Sequence, residues 1–260
     1  MNISEHFMSD FVAKLDNIPG RANCTGLSGA ERGYFLWHLY KESGRPLLVV
    51  CPETKEMDNL TEDIRFFGNR ENEVVSLPPQ DIIPVKSLSH DAQTACRRIE
   101  VLYQILNMTR PPIITTTVTA VMERLMPKAV LSTYPEYILA GEELDRDDLI
   151  AKLIEGGYQR STLVEELGDY AVRGSLVDVF PPLCSDPVRI EFDGDLVASV
   201  RIFSAQNQLT LKSIDELVLL PAVETVMSPQ ELPAIGDRIR KEGDRLDMPG
   251  LRVEEAVERA

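Results

Sequence analysis

Histidine, paired cysteine and basic charge are all in short supply along this chain of 260 residues. With only His6, His38 and His90, far from one another and from any cysteine, neither a metal site nor a Ser/His/Asp triad has enough to draw on. The four cysteines, Cys24, Cys51, Cys96 and Cys184, contain no C-x-x-C pair, which excludes a zinc knuckle and a dithiol redox motif. They read as reduced, buried thiols. No run approaches the ~18 apolar residues of a membrane span, and the opening residues Met1 to Phe7 show no basic stretch followed by an apolar one. A soluble cytoplasmic chain without membrane contact is expected. Lys and Arg number 27 against 42 Asp and Glu, a net charge of −15, so the chain as a whole repels phosphate backbones and anionic lipid. A local basic patch remains compatible with that balance.

What is present is a globular composition, 43% hydrophobic and 27% charged, sufficient for one large domain or two smaller ones. From about residue 20 to 125 apolar runs alternate with helical patterns, the signature of a parallel α/β sheet. Leu47 to Pro52 reads as a fully buried strand, and Val74–Leu77 and Pro112–Thr116 as two more. Helices are expected over Ala30–Lys41, over Thr54–Phe67 with Met57, Leu60, Ile64 and Phe67 in one stripe, and over Asp91–Leu106. From about Pro127 the pattern shifts to an acidic helical stretch, Glu142–Glu155, and then to strands over Asp169–Phe180, Pro187–Phe192 and Leu196–Phe203. That is a second, α+β domain, with Asp193-Gly194 as a hairpin turn of type I′. The expected boundaries are 1–125, 126–222 and a charged, helix-prone final segment, 223–260, that starts a further domain or returns to the first.

A phosphate loop would sit before the first helix of such a sheet, at Cys24-Thr-Gly-Leu-Ser-Gly-Ala-Glu-Arg32. Ala30 and Glu31 stand where the motif needs Lys and Ser/Thr, and no G-K-[ST] occurs elsewhere. The missing Lys removes the charge that meets the phosphates, and Glu31 adds a carboxylate that repels them. The loop reads as a helix-entry turn, with a weak anion site as the lesser alternative. The acid groups Glu165/Glu166, Asp145/Asp147/Asp148 and Glu254/Glu255 lie in polar stretches and read as solvated faces. No catalytic residue, cofactor site or metal site is assigned.

Strand alternation places Val188, Ile190 and Phe192 on one face and Arg189 with Glu191 on the other. Across the turn, Leu196, Ala198, Val200 and Ile202 alternate with Val197, Ser199, Arg201 and Phe203. Arg173 precedes Gly174, a mark of a bulge or a close backbone approach. If these strands are neighbours, Arg173, Arg189 and Arg201 form a positive row suited to an acidic protein partner. Pattern alone favours the plainer alternative, cross-strand pairing of these arginines with Asp178, Glu191 or other local acids.

The segments Gly168-Asp-Tyr-Ala-Val-Arg-Gly-Ser-Leu-Val-Asp-Val-Phe-Pro181, Pro187-Val-Arg-Ile-Glu-Phe-Asp-Gly-Asp195 and Ser199-Val-Arg-Ile-Phe203 resemble the second domain of the bacterial transcription-repair coupling factor (Mfd) family. Domain 2 of UvrB is a close relative. Leu77-Pro-Pro-Gln-Asp-Ile-Ile-Pro84, Ser87-Leu-Ser-His90 and Arg98 to Leu106 resemble the first domain of the same family. The resemblance implies an α/β protein with a degenerate P-loop, RecA-like first domain and an inserted α+β domain that binds UvrA. It implies a non-catalytic module that recruits UvrA to stalled RNA polymerase; the alternative is a UvrB-like nucleotide-dependent DNA damage-processing protein. The family's UvrA contacts fall on Arg173 and Arg189 and on an aromatic after Phe192, where this chain has Asp193. The expected docking residues are thus Arg173, Arg189, Phe192, Asp193 and Arg201. In the family's longer chains an intramolecular C-terminal domain masks this surface, and other regions bind RNA polymerase and DNA.

Overall fold

The computed structural model describes residues 3–16, 20–68, 73–80, 92–226 and 232–258. The chain divides into two compact units, Met1–Leu125 and Met126–Ala260.

In the first unit, helices α1 (Ile3–Asp16) and α2 (Glu31–Ser43) precede strand β1 (Leu47–Cys51), helix α3 (Thr54–Gly68) and strand β2 (Val74–Leu77). Helix α4 (Ala92–Asn107), strand β3 (Ile113–Thr117) and the short helix α5 (Val118–Met122) complete it. The three strands form a parallel sheet in the order β1-β3-β2, with Leu47 opposite Ile113 and Val74 opposite the same residue on the other side. Helix α2 stops at Gly44, whose φ of +63° lets its N–H reach the Tyr40 carbonyl at 2.9 Å. Trp37, Tyr40, Met57, Leu60 and Ile64 cover one face of the sheet with Cys51, Val74 and Ile113. Gly33 permits that packing, because a Cβ there would lie 2.5 Å from the Cβ of Asp63.

Strand β1 corrects the expectation of full burial. It is an edge strand, and only Leu47, Val49 and Cys51 turn toward the α2–α3 side, while Leu48 and Val50 are 60% and 45% exposed. The resemblance motifs Asp81 to Pro84 and Ser87 to His90 lie outside the described residues, as does His90 itself. After them, Arg98 of α4 is completely buried and donates Nη1 to the Pro78 carbonyl and, at 3.0 Å, to Glu123 Oε2. Glu123 also accepts the Gln80 N–H at 3.0 Å, so one carboxylate and one guanidinium fasten the Pro78–Gln80 segment that follows β2.

The second unit begins with helix α6 (Lys128–Thr133), strand β4 (Glu136–Leu139) and helix α7 (Arg146–Glu155). The helix is shorter than the acidic stretch suggests, because Asp145 caps it: its Oδ1 accepts from the N–H groups of Asp147 and Asp148 at 2.7 and 3.0 Å. Strands β5 (Gln159–Arg160), β6 (Asp169–Arg173), β7 (Leu176–Val179), β8 (Val188–Asp193), β9 (Leu196–Phe203) and β10 (Thr210–Ile214) follow, then β11 (Glu216–Leu219) and helices α8 (Leu232–Arg245) and α9 (Gly250–Glu258). Six of these strands form one sheet in the order β10-β9-β8-β7-β6-β5, antiparallel except for β5–β6, and β11 pairs with β4. Helices α8 and α9 group with this unit; Val253 packs over Gly243 and Val257 over Gly236, so the two glycines let the helices close on each other.

Three local expectations change here. Asp169–Phe180 is not one strand but the hairpin β6–β7, turned at Gly174-Ser175 with Gly174 at φ +60°. The β8–β9 hairpin forms as expected, but its central pair is Gly194-Asp195, with positive φ at Gly194 only, the pattern of a type II′ turn rather than I′. A register shift follows Glu191, so alternation along β9 breaks: Val197, Val200 and Phe203 are buried while Leu196 and Ala198 are exposed.

Candidate docking face

Strand pairing arranges the charged residues of the six-stranded sheet in rows. Ala171, Asp178, Arg189 and Arg201 stand side by side across β6, β7, β8 and β9. The adjoining row is Arg173, Leu176, Glu191 and Ser199. The opposite face carries Val172, Val177, Ile190 and Val200, three of them buried, and so supplies the core. The sheet thus brings Arg173, Arg189 and Arg201 to one face, as the alternation predicts.

It does not leave them equally free. Arg189 grips Asp178 with two parallel bonds, Nε to Oδ1 at 2.7 Å and Nη2 to Oδ2 at 2.8 Å. The Asp178 carboxylate is 2% exposed, and the guanidinium lies 4.7 Å from the centroid of the buried Phe203 ring. Its hydrogen bonds to Asp178 hold the Arg189 pKa above the ordinary arginine value against the opposing effect of burial. Breaking such a pair from one side costs ~3–5 kcal/mol, because the other charge stays buried. The bonds from Arg189 to Asp178 use Nε and Nη2, and among the described residues none engages Nη1.

Arg201 is held differently. Its Nη2 pairs with Glu191, whose Oε2 also accepts from Ser199 Oγ at 3.1 Å. Both members of this ion pair are about a third exposed or more, a setting in which such a pair contributes ~1 kcal/mol or less. In this arrangement Arg201 Nε is buried with no acceptor, a loss of about 1–3 kcal/mol, and Arg201 stands directly opposite the like charge of Arg189. Arg173 is exposed at the end of β6 and donates to the Thr162 carbonyl rather than to an acid.

The plainer alternative, cross-strand pairing with Asp178 and Glu191, is therefore the one found for Arg189 and Arg201, so these two do not form a row of unpaired guanidiniums. Phe192 is corrected as well. It points to the core side and is 4% exposed, its rim reaching only a cleft of about 320 Å³ between the start of α7 and the two hairpin turns. A partner surface cannot rest on its ring. Asp193 is exposed at the last position of β8, next to the turn. Sequence reasoning missed that Asp178 is buried and that Phe203 lies under Arg189. The placement of Asp178 between Val177 and Val179 is the signal for the first, and the alternation that puts Phe203 in one row with Arg201 is the signal for the second.

The loop before α2 shows a second closure. Residues 20–30 form no strand and are exposed, and the Glu31 Oε2 accepts the Ser28 N–H at 3.1 Å. A carboxylate of the chain thus occupies an amide that an anion-binding loop would offer. Arg32 turns away to pair with Glu56. Of the cysteines, Cys51 and Cys96 are buried and Cys184 half-buried, but Cys24 is exposed, contrary to the uniform burial expected; no disulfide joins any of the four. Burial, aided by Asp186, pushes the Cys184 thiol up to about 11. No metal-capable cluster of three or more His, Cys, Asp or Glu occurs among the described residues, and no helix among them is long and apolar enough to cross a membrane.

Residues 137–224, which contain the entire six-stranded sheet, match the model of the UvrB interaction domain. The chain is 33% identical over 243 residues to a transcription-repair-coupling factor of Myxococcus xanthus, covering 92% of this chain and 20% of that protein. It is 30% identical over 198 residues to the transcription-repair-coupling factor of Escherichia coli, covering 76% and 17%, and 27% identical over 206 residues to that of Bacillus subtilis, covering 79% and 17%. The chain spans about a fifth of the length of these curated relatives. It is thus a relative of the transcription-repair-coupling factors that carries a UvrB interaction domain and matches their N-terminal module.

Proposed function

We propose that this chain is a non-catalytic, cytoplasmic docking module that binds the excision-repair protein UvrA through the arginine-bearing face of its second unit. In a longer protein of the relatives' kind it brings UvrA to an RNA polymerase stalled on DNA, the polymerase and the DNA being held by other regions. A C-terminal region of that longer protein covers the face until docking. The observation that carries the reading is that the UvrB interaction domain coincides with the sheet on which Arg173, Arg189 and Arg201 share one face. Arg173 supplies an exposed fork, Arg189 a fixed one, and Asp193 a polar contact at the turn where the family has an aromatic.

The first unit is read as a degenerate RecA-like domain. Support comes from its parallel β1-β3-β2 sheet and from Glu31, whose carboxylate closes the loop that would cradle phosphate. The test is a calorimetric titration of the chain with purified UvrA. Binding weakens as salt rises, Arg173→Ala costs ~2 kcal/mol or more, and Arg189→Lys, which keeps the charge without the fork, costs a similar amount. Affinity unchanged in both variants removes the site, and ATP turnover by the purified chain removes the non-catalytic reading.

A further inference from the structure

The two acids on the docking face hold their arginines in different ways, and the difference has a functional consequence. Asp178 is buried, and both of its oxygens are committed to Arg189, which is stacked on Phe203. That arginine is fixed before any partner arrives, with Nη1 left over. Glu191 is half-buried, with its side chain 41% exposed, and engages Arg201 through a single nitrogen, in a pose that leaves the Arg201 Nε buried and unsatisfied beside the like charge of Arg189. Glu191 itself keeps a second donor, Ser199 Oγ, when Arg201 departs.

Resting on the docking reading above, we infer that Glu191 is an internal competitor for Arg201: it holds the guanidinium in the free chain and yields it to a carboxylate of UvrA on docking. Arg189 is then the preorganised contact and Arg201 the exchangeable, specificity-determining one. A partner carboxylate that draws Arg201 out of its resting pose relieves the orphaned Nε and bridges the two like charges, which neither Asp178 nor Glu191 does alone. A partner without an acid at that position leaves Arg201 on Glu191 and gains nothing from it.

Deleting the Glu191 charge from this charge-driven interface is expected to strengthen it. In titrations of the full chain with UvrA, Glu191→Gln, which can still accept from Ser199, tightens binding about three- to fivefold. Arg201→Ala weakens it about tenfold or more, and in that background Glu191→Gln no longer tightens. Arg201→Lys, which keeps the charge but loses the fork, falls between wild type and Arg201→Ala and serves if the alanine variant does not fold. By nitrogen-15 NMR the Arg201 Nε–H resonance shifts on adding UvrA, and Glu191→Gln alone moves it part of the way. No binding of UvrA by the wild-type chain fails the docking reading itself. Wild-type binding with Glu191→Gln neutral or weaker overturns this inference and leaves the docking reading standing.

Discussion

Truncating Arg189 to alanine strands a carboxylate. Asp178 is 2% exposed and both of its oxygens are served by Arg189, so the variant leaves a buried charge without donors. Removal of one member of a fully buried pair costs ~3–5 kcal/mol. The Arg189 side chain is 18% exposed, and water admitted from its side reduces the expected loss to roughly 2–3 kcal/mol. With a urea dependence of about 2 kcal/mol/M, that moves the unfolding midpoint of the second unit down by about 1–1.5 M. Far-UV circular dichroism follows the sheet, while emission from Trp37, the single tryptophan, follows the first unit. The double variant Asp178→Asn/Arg189→Ala removes the stranded charge and recovers at least half of the loss. A shift below about 0.3 M in the single variant, or strict additivity in the double, would refute the view that Asp178 depends on Arg189.

Other outcomes follow from individual contacts. Gly157 sits at φ +78° with Val223 Cγ2 only 2.3 Å from where a Cβ would be, so Gly157→Ala lowers stability by about 2–4 kcal/mol; Val223→Ala in the same chain relieves the clash but not the backbone strain, and thermal melts of both variants check this. Arg98→Met deprives Glu123 of its buried cation and destabilises the first unit by roughly 3 kcal/mol, read as an earlier urea transition in Trp37 emission. Cys184, raised from 9.0 to about 11, holds about one-hundredth of the ordinary thiolate at pH 8, so native alkylation by iodoacetamide is about a hundredfold slower than in urea, and Cys24 is labelled first. Because the folded chain keeps the Cys184 proton that the unfolded chain loses, its contribution to stability is present below pH 9 and falls between pH 9 and 11, which Cys184→Ala abolishes.

The sequence carried strand positions, the β8–β9 hairpin and the common face of Arg173, Arg189 and Arg201, because period-two alternation survives wherever one face is buried. It failed where a single residue breaks the period. The register shift after Glu191 is invisible in Leu196–Phe203 read alone, since Val197 and Val200 belong to the same face only once Ala198 is set aside. Gly174 was readable as punctuation but not as a turn. The apolar run Leu47–Cys51 looks like a central strand because composition does not reveal which strand has a single neighbour. The pairing state of the arginines needed coordinates, since carboxylates one row apart compete for the same guanidinium and only geometry decides between them.

The connectivity of the two sheets bears on the order in which they form. In the second unit, β6 through β10 pair each with its successor along the chain, and the tightest turns are two-residue loops begun by Gly174 and Gly194, so little chain entropy is lost as each strand zips onto the last. In the first unit every pairing is long-range: Val74 must find Ile113 across helix α4, and Leu47 must find the same residue across two helices and an intervening strand. Refolded from denaturant, with both units present from the start, the six-stranded sheet is therefore the quicker of the two to assemble.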